Sequence, residues 1–593
     1  MDEKLKHDPQ GPSPEVAFSN LIKPQAREPY DPTVTFEEYF FYAQKTRAEE
    51  LTLESPTLNL RHVLGGKRGA HDHDNQIRTH LTASDFTHCE RRITITDEEW
   101  TNASRAFRSA SWGACFLITT DIMGPYSTGF TMGTLGWGPV SAESTDSILI
   151  GIAFYTVFGI MAGYSGYLIW RVFLGVDSYE YPAKNYGDLG FRTLGRFGRY
   201  ITNIWQGVSL LLIVGQVVIL FGQNISQVSK FRLCYAVCPA IFACAGFVVT
   251  QVRTLRNFGW LANLAVWMNL FVIFMSIGVM ANAPPNYHIS TLGSAGSAVD
   301  PESIKPDKAG NYPPIMHYST IPSDGLIGAV NGMLSGVTAY AGAQLFVEFL
   351  AEMKRPRDFI KAMWGAQFFI YAVYLMSGCV VYHLQGQYSY NPSYEGVSIY
   401  AWQTVGNMVS LLAALISGGL YGNIGIKVFY NNVLLDIFKA PPLTTTRGKF
   451  IYAALVPIWW IIAFIIAAAI PDFFGFVSVV AASMLLNLTY AFPPLFALCF
   501  DVQQNALRGS DGEGFDPVTG RVSRIDTASR RWIRGFMAGG PFQVAINTWH
   551  IIYFLAALAM SGLGMYAAIV GLIDAFKIPR LTSFSCVSPL NLG

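Results

Sequence analysis

Long apolar segments alternate with short polar connections along most of this chain. After a polar stretch of about 104 residues, eleven apolar segments of roughly 20 residues or more follow one another. A helix of about 20 residues crosses the hydrocarbon core of a bilayer. We number these segments spans 1 to 11: residues 107–137, 148–170, 200–221, 233–252, 258–281, 326–352, 362–384, 397–426, 450–470, 473–500 and 544–573. The pattern predicts an all-α polytopic membrane protein with about 11 transmembrane helices.

Two of these spans are interrupted by residues that do not favour a continuous helix. Span 1 contains Asp121, a Gly-Pro pair at 124–125 and a Tyr-Ser-Thr-Gly run at 126–129, and span 6 contains small and polar residues at 336–342. Freed backbone groups are tolerated within a bilayer only where protein or a water-filled cavity satisfies them. A proline kink alone would explain span 1. Breaks in the first and sixth spans instead indicate a five-plus-five inverted repeat, with a binding site between the two broken helices.

Composition and charge agree with a membrane protein and orient it. Hydrophobic residues make up 51% of the chain and charged residues only 14%, well below the usual share in soluble proteins. The net charge of +1 suggests no nucleic-acid partner. Connections on the N-terminal side of the membrane hold 25 Lys and Arg residues near the spans, and those on the other side hold six. The positive-inside rule therefore predicts a cytoplasmic N-terminus and an external C-terminus.

The predicted domains are a cytoplasmic polar tail at 1–104, a transmembrane domain at 105–575 and a short external tail at 576–593. Thr35 and Glu38 have capping-box spacing and predict a short helix through about Leu51. The histidines at 71–88 with Cys89 are spaced irregularly, which favours a disordered polar segment over a metal site, and no metal or cofactor is predicted. Most of the eight cysteines lie in apolar spans, so we expect small hydrophobes rather than a disulfide framework.

The two breaks supply the groups that a zwitterionic ligand needs. Backbone N–H groups of 126–128, at the start of the outer half-helix, suit a carboxylate, while break carbonyls and the carboxylate of Asp121 suit an ammonium. Tyr340, with an aromatic residue such as Trp205, could face the ligand side chain, although such aromatics more often serve packing. For Asp121 the alternative is a cap on the broken helix. The predicted substrate-binding residues are Asp121, Met123, Gly124, Pro125, Tyr126, Ser127, Thr128, Thr338, Tyr340 and Gly342.

Several motifs together resemble one transporter family. They are Gly-Pro-Tyr-Ser at 124–127 with Leu-Gly-Trp-Gly-Pro at 135–139, Tyr-Gly-Asp-Leu-Gly at 186–190, Thr-Ala-Tyr-Ala-Gly at 338–342, Glu-Met-Lys-Arg-Pro at 352–356 and Tyr-Gly-Asn-Ile at 421–424. This set is similar to the amino acid/auxin permease family, notably fungal neutral and aromatic amino acid permeases, of the amino acid–polyamine–organocation type. Gly129 stands where members usually carry Pro, and Ala343 where they carry His. These departures lie near the predicted site and put the substrate in doubt.

The resemblance implies a secondary active transporter rather than an enzyme. The expected activity is proton-coupled uptake of neutral, bulky apolar or aromatic amino acids, in the plasma membrane or alternatively the vacuolar membrane. The alternatives are a nutrient sensor on a transporter fold, or a transporter of a different small solute. The expected partners are the amino acid substrate, protons and membrane lipid.

Proton coupling requires a titrating group, and the sequence offers two. Lys427, at the inner end of span 8, carries an ammonium that can occupy the place of a bound cation and release a proton. Asp121 is the intramembrane carboxylate that would sense that charge. The alternative is that Lys427 only extends to the cytoplasmic surface. Glu348 and His383 lie near the ends of their spans and are expected to reach the interface.

Overall fold

The protein is described by a computed structural model. The described residues are 32–52, 116, 125–136, 150–251, 255–318, 326–353, 355–435, 437–441, 443, 445–469, 473–508, 513–526, 528–577, 584 and 586–590. Apart from one two-stranded hairpin, the regular structure in these ranges is helical, so the all-α prediction is confirmed. The histidine-rich segment, Asp121, Met123 and Gly124 lie outside the described residues.

Eight helices in the described ranges are long and apolar enough to cross a membrane, and a bent pair makes nine. The polytopic prediction is therefore confirmed. The helices that correspond to the continuous spans are Ile150–Val176, Tyr186–Val228, Val237–Thr250, Leu255–Met280, Phe359–Gln385, Tyr400–Phe429, Thr446–Ala469, Phe473–Val480 with Phe492–Arg508, and Gly540–Lys577. The helix of span 4, Val237–Thr250, has only 14 residues.

Span 3 begins well before the predicted residue 200. Its helix begins at Tyr186, where the Asn185 side chain accepts a hydrogen bond from the backbone N–H of Asp188 and the Asp188 side chain accepts one in return. This capping box starts the helix inside the segment that the sequence analysis assigned to the connection between spans 2 and 3. Gly195 has a φ of 76°, so the helix kinks there before it enters the membrane.

The described residues show a break in span 6 and a 3₁₀ turn in span 1. Span 6 bends by 43° between Leu326–Ala339 and Ala341–Glu352, which confirms the predicted interruption. The second part consists of a 3₁₀ turn, Ala341–Leu345, and the helix Phe346–Glu352. In span 1 the 3₁₀ turn Pro125–Ser127 leads into the outer half-helix Thr128–Leu135. Because a 3₁₀ turn has poorer hydrogen-bond geometry than an α-helix, backbone groups at both breaks remain available.

The N-terminal helix Phe36–Thr52 agrees with the prediction and packs on the side of the membrane predicted to be cytoplasmic. Thr35 does not cap it: its hydroxyl has no hydrogen-bond partner in the described part of the chain, and only its carbonyl bonds Tyr39. The helix is held instead by Glu37, which forms ion pairs with Arg524 and Arg531 at 2.7 Å. Burial alone would raise the pKa of Glu37, but the two arginines outweigh it and hold the pKa below its ordinary value.

Arg524 and Arg531 belong to the connection between spans 10 and 11. This connection forms an antiparallel hairpin, Gly514–Asp516 with Arg521–Ser523, and a helix, Ala528–Met537. Phe515 of the hairpin packs on Phe41 and Tyr42 of the N-terminal helix, with ring centroids 5.6 and 5.8 Å apart. The first described helix is therefore tied to the last inter-span connection.

The opposite face of the membrane domain is built from short elements and one disulfide. The short elements are Tyr287–Gly293, Ala295–Val299, Pro301–Ile304, Gly386–Tyr388 and Ser393–Gly396. Cys234, just before span 4, is bonded to Cys586, and 352 residues separate them. The expectation that the cysteines serve only as small hydrophobes was therefore wrong for this pair. Neither cysteine has a sequence neighbour that indicates its partner, so local pattern could not reveal the bond.

Candidate functional site

The outer halves of spans 1 and 6 lie in close contact because glycines remove side chains from their interface. A Cβ added at Gly332 would lie 1.8 Å from the hydroxyl oxygen of Thr134. The Thr131 hydroxyl donates to the carbonyl oxygens of Ser127 and Gly332, at 3.1 Å each. Gly336, one turn further along, faces Thr131 as well. Small residues at a spacing of four allow this approach between membrane helices.

The break in span 6 is surrounded by buried tyrosines. The Tyr374 hydroxyl of span 7 donates to the carbonyl oxygen of Ala339 at 3.0 Å, which satisfies one carbonyl freed by the bend. The Tyr340 ring lies 5.4 Å from the Tyr374 ring and 6.0 Å from the Tyr155 ring. The Tyr340 hydroxyl is buried and has no hydrogen-bond partner among the described residues. A buried hydroxyl of this kind is available to a ligand.

The structure brings together the described members of the predicted site. The Ser127 hydroxyl donates to the carbonyl oxygen of Ser335 at 3.5 Å, which joins the span 1 turn to span 6 one turn before Thr338. Thr338 donates back to the Leu334 carbonyl at 2.8 Å. Thr128, Tyr340 and Gly342 are buried beside the breaks, and Pro125 opens the 3₁₀ turn.

Tyr126 contacts span 5 and the connection between spans 7 and 8. Its hydroxyl donates to Asn269 of span 5 at 2.8 Å, and its ring packs edge-on against Tyr394. Trp205 likewise makes a packing contact, because its indole N–H donates to the Ser483 carbonyl of span 10 at 2.9 Å. Neither side chain contacts Tyr340 directly in the described contacts.

Glu348 does not reach the interface, and that prediction was wrong. It lies on the inner half of span 6 and is only 8% exposed. Its Oε1 accepts a hydrogen bond of 2.7 Å from the Gln206 amide of span 3. Gln206 also donates to the Gln344 carbonyl at 2.8 Å, and Ser209 donates to the Gln344 side chain at 2.9 Å. The other oxygen of Glu348 has no partner among the described residues, which makes this an intramembrane carboxylate without a paired cation there.

Lys427 lies at the inner ends of spans 6 and 8 with a carboxylate beside it. Its ammonium is 3.6 Å from Glu352 Oε1, and the two side chains are 26% and 34% exposed. Glu352 is the first residue of the Glu-Met-Lys-Arg-Pro motif, so the pair links that motif to span 8. One interpretation of the sequence makes Lys427 a buried titrating group, and the other makes it a lysine that extends to the cytoplasmic surface. The observed exposure of Lys427 lies between these two expectations.

Within the described ranges, no group of three or more His, Cys, Asp or Glu side chains could hold a metal ion. The described members of the predicted site offer backbone groups, hydroxyls and tyrosine rings. Such a set binds a polar organic solute through hydrogen bonds and apolar contact.

Comparisons with known proteins place these features in context. The model of the family described as transmembrane amino acid transporter protein matches residues 111–306 and 311–503. Relatives described as transmembrane transporters from Gibberella moniliformis and Fusarium pseudograminearum are each 24% identical, over 282 and 301 residues. The matches cover 47% and 51% of this chain and 54% and 59% of the relatives. The chain thus spans little more than half the length of these curated relatives.

Solved transporter structures are also similar at low identity. A manganese transporter from Eremococcus coleocola is 12% identical with a TM-score of 0.37, covering 82% of this chain and 96% of that one. A nucleobase-cation-symport-1 family transporter with bromovinylhydantoin bound is 12% identical with a TM-score of 0.39, covering 78% of this chain and 91% of that one.

Proposed function

The chain belongs to the transmembrane amino acid transporter protein family, and from that premise we propose that it is a secondary active transporter of neutral amino acids. The observation that supports this most is the arrangement of spans 1 and 6. Both have 3₁₀ turns in mid-span, and their outer halves pack through Thr131 and Gly332. Broken helices of this kind form midplane substrate sites in many transporters.

The proposed ligand pose follows from the groups at the breaks. The N-terminal turn of the outer half-helix, at Tyr126, Ser127 and Thr128, receives the substrate carboxylate. Break carbonyls and Asp121 receive the ammonium. The buried ring of Tyr340, with its unpartnered hydroxyl, faces the side chain. The tyrosine-rich surroundings favour bulky apolar or aromatic side chains.

We propose that the coupling ion is a proton. The titrating group is Asp121 or Lys427, and the structure adds Glu348 as a third candidate. Lys427 pairs with Glu352 at the inner end, so a movement of span 6 against span 8 would change the surroundings of its ammonium. Glu348 is buried on the half-helix that ends at Glu352.

The test is uptake by purified protein in liposomes. We expect labelled neutral amino acids to accumulate when the external side is acidic, without sodium. A competition panel of apolar, aromatic, polar and charged amino acids should rank the bulky neutral ones first. Uptake that followed sodium and ignored the pH gradient would contradict proton coupling. Binding without uptake would indicate a sensor, and movement of only another solute class would contradict the amino acid substrate.

The proposed orientation places the N-terminus in the cytoplasm and the C-terminus outside, in the plasma membrane. Besides the charge asymmetry, the Cys234–Cys586 bond supports it, because structural disulfides persist on the oxidising side of a membrane. In sealed cells, we expect external protease to remove a tag placed after residue 593 and to spare one placed before residue 1. Removal or protection of both tags together would contradict the model with an odd number of spans.

A further inference from the structure

The connection between spans 7 and 8 lies directly over the span 1 break. Its turn Ser393–Gly396 presents Tyr394, whose ring meets Tyr126 edge-on with centroids 5.0 Å apart. The turn is anchored on both sides. Gln403 of span 8 donates to the Glu395 carbonyl at 2.7 Å, and the Asn286 backbone N–H donates to the Gly396 carbonyl at 3.3 Å. The Tyr126–Tyr394 contact therefore closes the outer side of the predicted substrate site.

Glu395, the residue after Tyr394, is completely buried at 0% exposure. The Asn224 amide of span 3, in the orientation that satisfies both of its ends, donates to Glu395 Oε1 at 2.6 Å and accepts from the Tyr394 hydroxyl at 3.1 Å. The second oxygen of Glu395 has no hydrogen-bond partner among the described residues, and Glu395 forms no ion pair with them. One amide thus connects the buried carboxyl to the tyrosine that closes the site.

The surroundings of Glu395 are polar but contain few mutual hydrogen bonds. Both amide atoms of Gln385 are buried without a partner in the described part of the chain, as are the hydroxyl of Ser389 and the side-chain carbonyl of Asn407. The Gln385 oxygen lies 4.0 Å from the place that a Cβ on Gly396 would occupy. A cluster of buried polar groups of this kind favours hydration over a dry apolar seal.

Burial raises the pKa of Glu395 to about 8. Tyr394, on the same turn, is the titratable side chain that shares Asn224 with it. Spans 3 and 5 contribute amides and hydroxyls at this level rather than charges. The titratable or charged groups on neighbouring segments of the described chain include Tyr126, Tyr287, His288, Tyr390, Tyr400 and Lys230. The Lys230 ammonium lies over the Tyr400 ring at 4.8 Å, so its charge is engaged away from Glu395.

We propose that Glu395 is an external proton-binding site whose protonation accompanies closure of the Tyr126–Tyr394 contact over the span 1 break. When the contact opens, the carboxyl becomes hydrated and its pKa returns toward the ordinary value. At a pH between the ordinary carboxyl pKa and about 8, Glu395 therefore binds one proton when the contact closes. Acid outside favours the closed form, and pH above 8 favours the open form. The proposed transport function gives this device its purpose, but the proton site itself does not require transport.

The test measures access to the break directly. Ser127→Cys places a thiol beside the break, and its labelling by a membrane-impermeant thiol reagent is followed from pH 6 to pH 9. Glu302→Cys, on an external turn where the Glu302 side chain is 80% exposed, corrects for the effect of pH on the thiol itself. We expect the corrected labelling rate to rise on the order of tenfold across this range, because one pKa unit corresponds to a factor of ten. When Glu395→Gln is added, the corrected labelling rate should stay within about twofold of its pH 6 value over the whole range.

A corrected rate that rises equally with and without Glu395→Gln would overturn the proposal, as would a rate that does not change with pH. Should Glu395→Gln not fold, Asn224→Ala gives a second test. Loss of the amide that donates to the carboxylate should move the midpoint of the labelling curve to higher pH, and an unchanged midpoint would overturn the proposal. Labelling needs no substrate transport, so failure to move amino acids would contradict the proposed function and leave this measurement decisive.

Discussion

Gly332→Ala should abolish transport, with uptake lowered by about 100-fold or more. The added Cβ would lie 1.8 Å from the Thr134 hydroxyl oxygen and 2.6 Å from its Cβ. Thr134 is fully buried and donates to the Thr131 carbonyl, so it has little freedom to move. Overpacking in a tight interface typically costs about 1–3 kcal/mol. Here the two outer half-helices must separate to relieve it, and this separation would displace Ser127 and Thr131 from the site.

The same substitution at Gly207 is the matched control. Gly207 lies in span 3, and among the described residues no neighbouring atom lies within 4 Å of the place that its Cβ would occupy. Gly207→Ala should leave both expression and initial uptake rate near wild type. Adding Thr134→Gly to Gly332→Ala removes the clashing atoms and should restore part of the uptake. If the double variant were as inactive as Gly332→Ala while both reached the membrane, the close contact would not be the cause.

Glu348→Gln should uncouple transport from the proton gradient. The amide side chain can still accept the 2.7 Å hydrogen bond from Gln206, so the fold around it is kept. It carries no titratable proton, however, and a buried carboxyl without a paired cation is the group best placed to bind and release one. A gradient of one pH unit can support about tenfold accumulation of a solute that moves with one proton. In Glu348→Gln, we expect the ratio of internal to external substrate to fall to near one. The rate of exchange between internal and external substrate should stay within about twofold of the wild-type rate.

The controls separate Glu348 from the other candidates. Glu302→Gln changes a charge on an exposed turn, and this variant should accumulate substrate normally. Lys427→Met and Asp121→Asn test the two groups expected from the sequence. Normal accumulation by Glu348→Gln, together with its loss in Lys427→Met, would assign coupling to the lysine instead.

The sequence predicted those features of the fold that depend on local pattern. The apolar spans follow from hydrophobic length, and the span 6 break follows from the small and polar residues at 336–342, which cannot hold a straight helix against lipid. The helix that begins at Phe36 was predicted correctly, but its stabilisation was not. The spacing of Thr35 and Glu38 suggested a local cap, whereas ion pairs with residues almost 500 positions later hold it.

Features that depend on which segments meet in space could not be predicted in the same way. The position of Glu348 near the end of span 6 suggested that it reaches the membrane interface. Position along a span does not show which neighbouring helix covers a side chain. Gln206 is the partner because the long helix of span 3 passes the inner half of span 6. Glu395 was missed for a related reason, since a carboxyl in a connection between spans is ordinarily solvated. Of the predicted site, the described contacts of Tyr126 are with Asn269 and Tyr394 rather than with Tyr340.

The disulfide also constrains the order in which the protein can mature. Cys234 reaches the far side of the membrane once span 3 has been inserted, whereas Cys586 is synthesised 352 residues later, after span 11. Until then Cys234 remains a reduced thiol that other oxidants or chaperone thiols can engage. Its oxidation with the correct partner is therefore a late event in biogenesis, and it requires both cysteines to have reached the same side of the membrane.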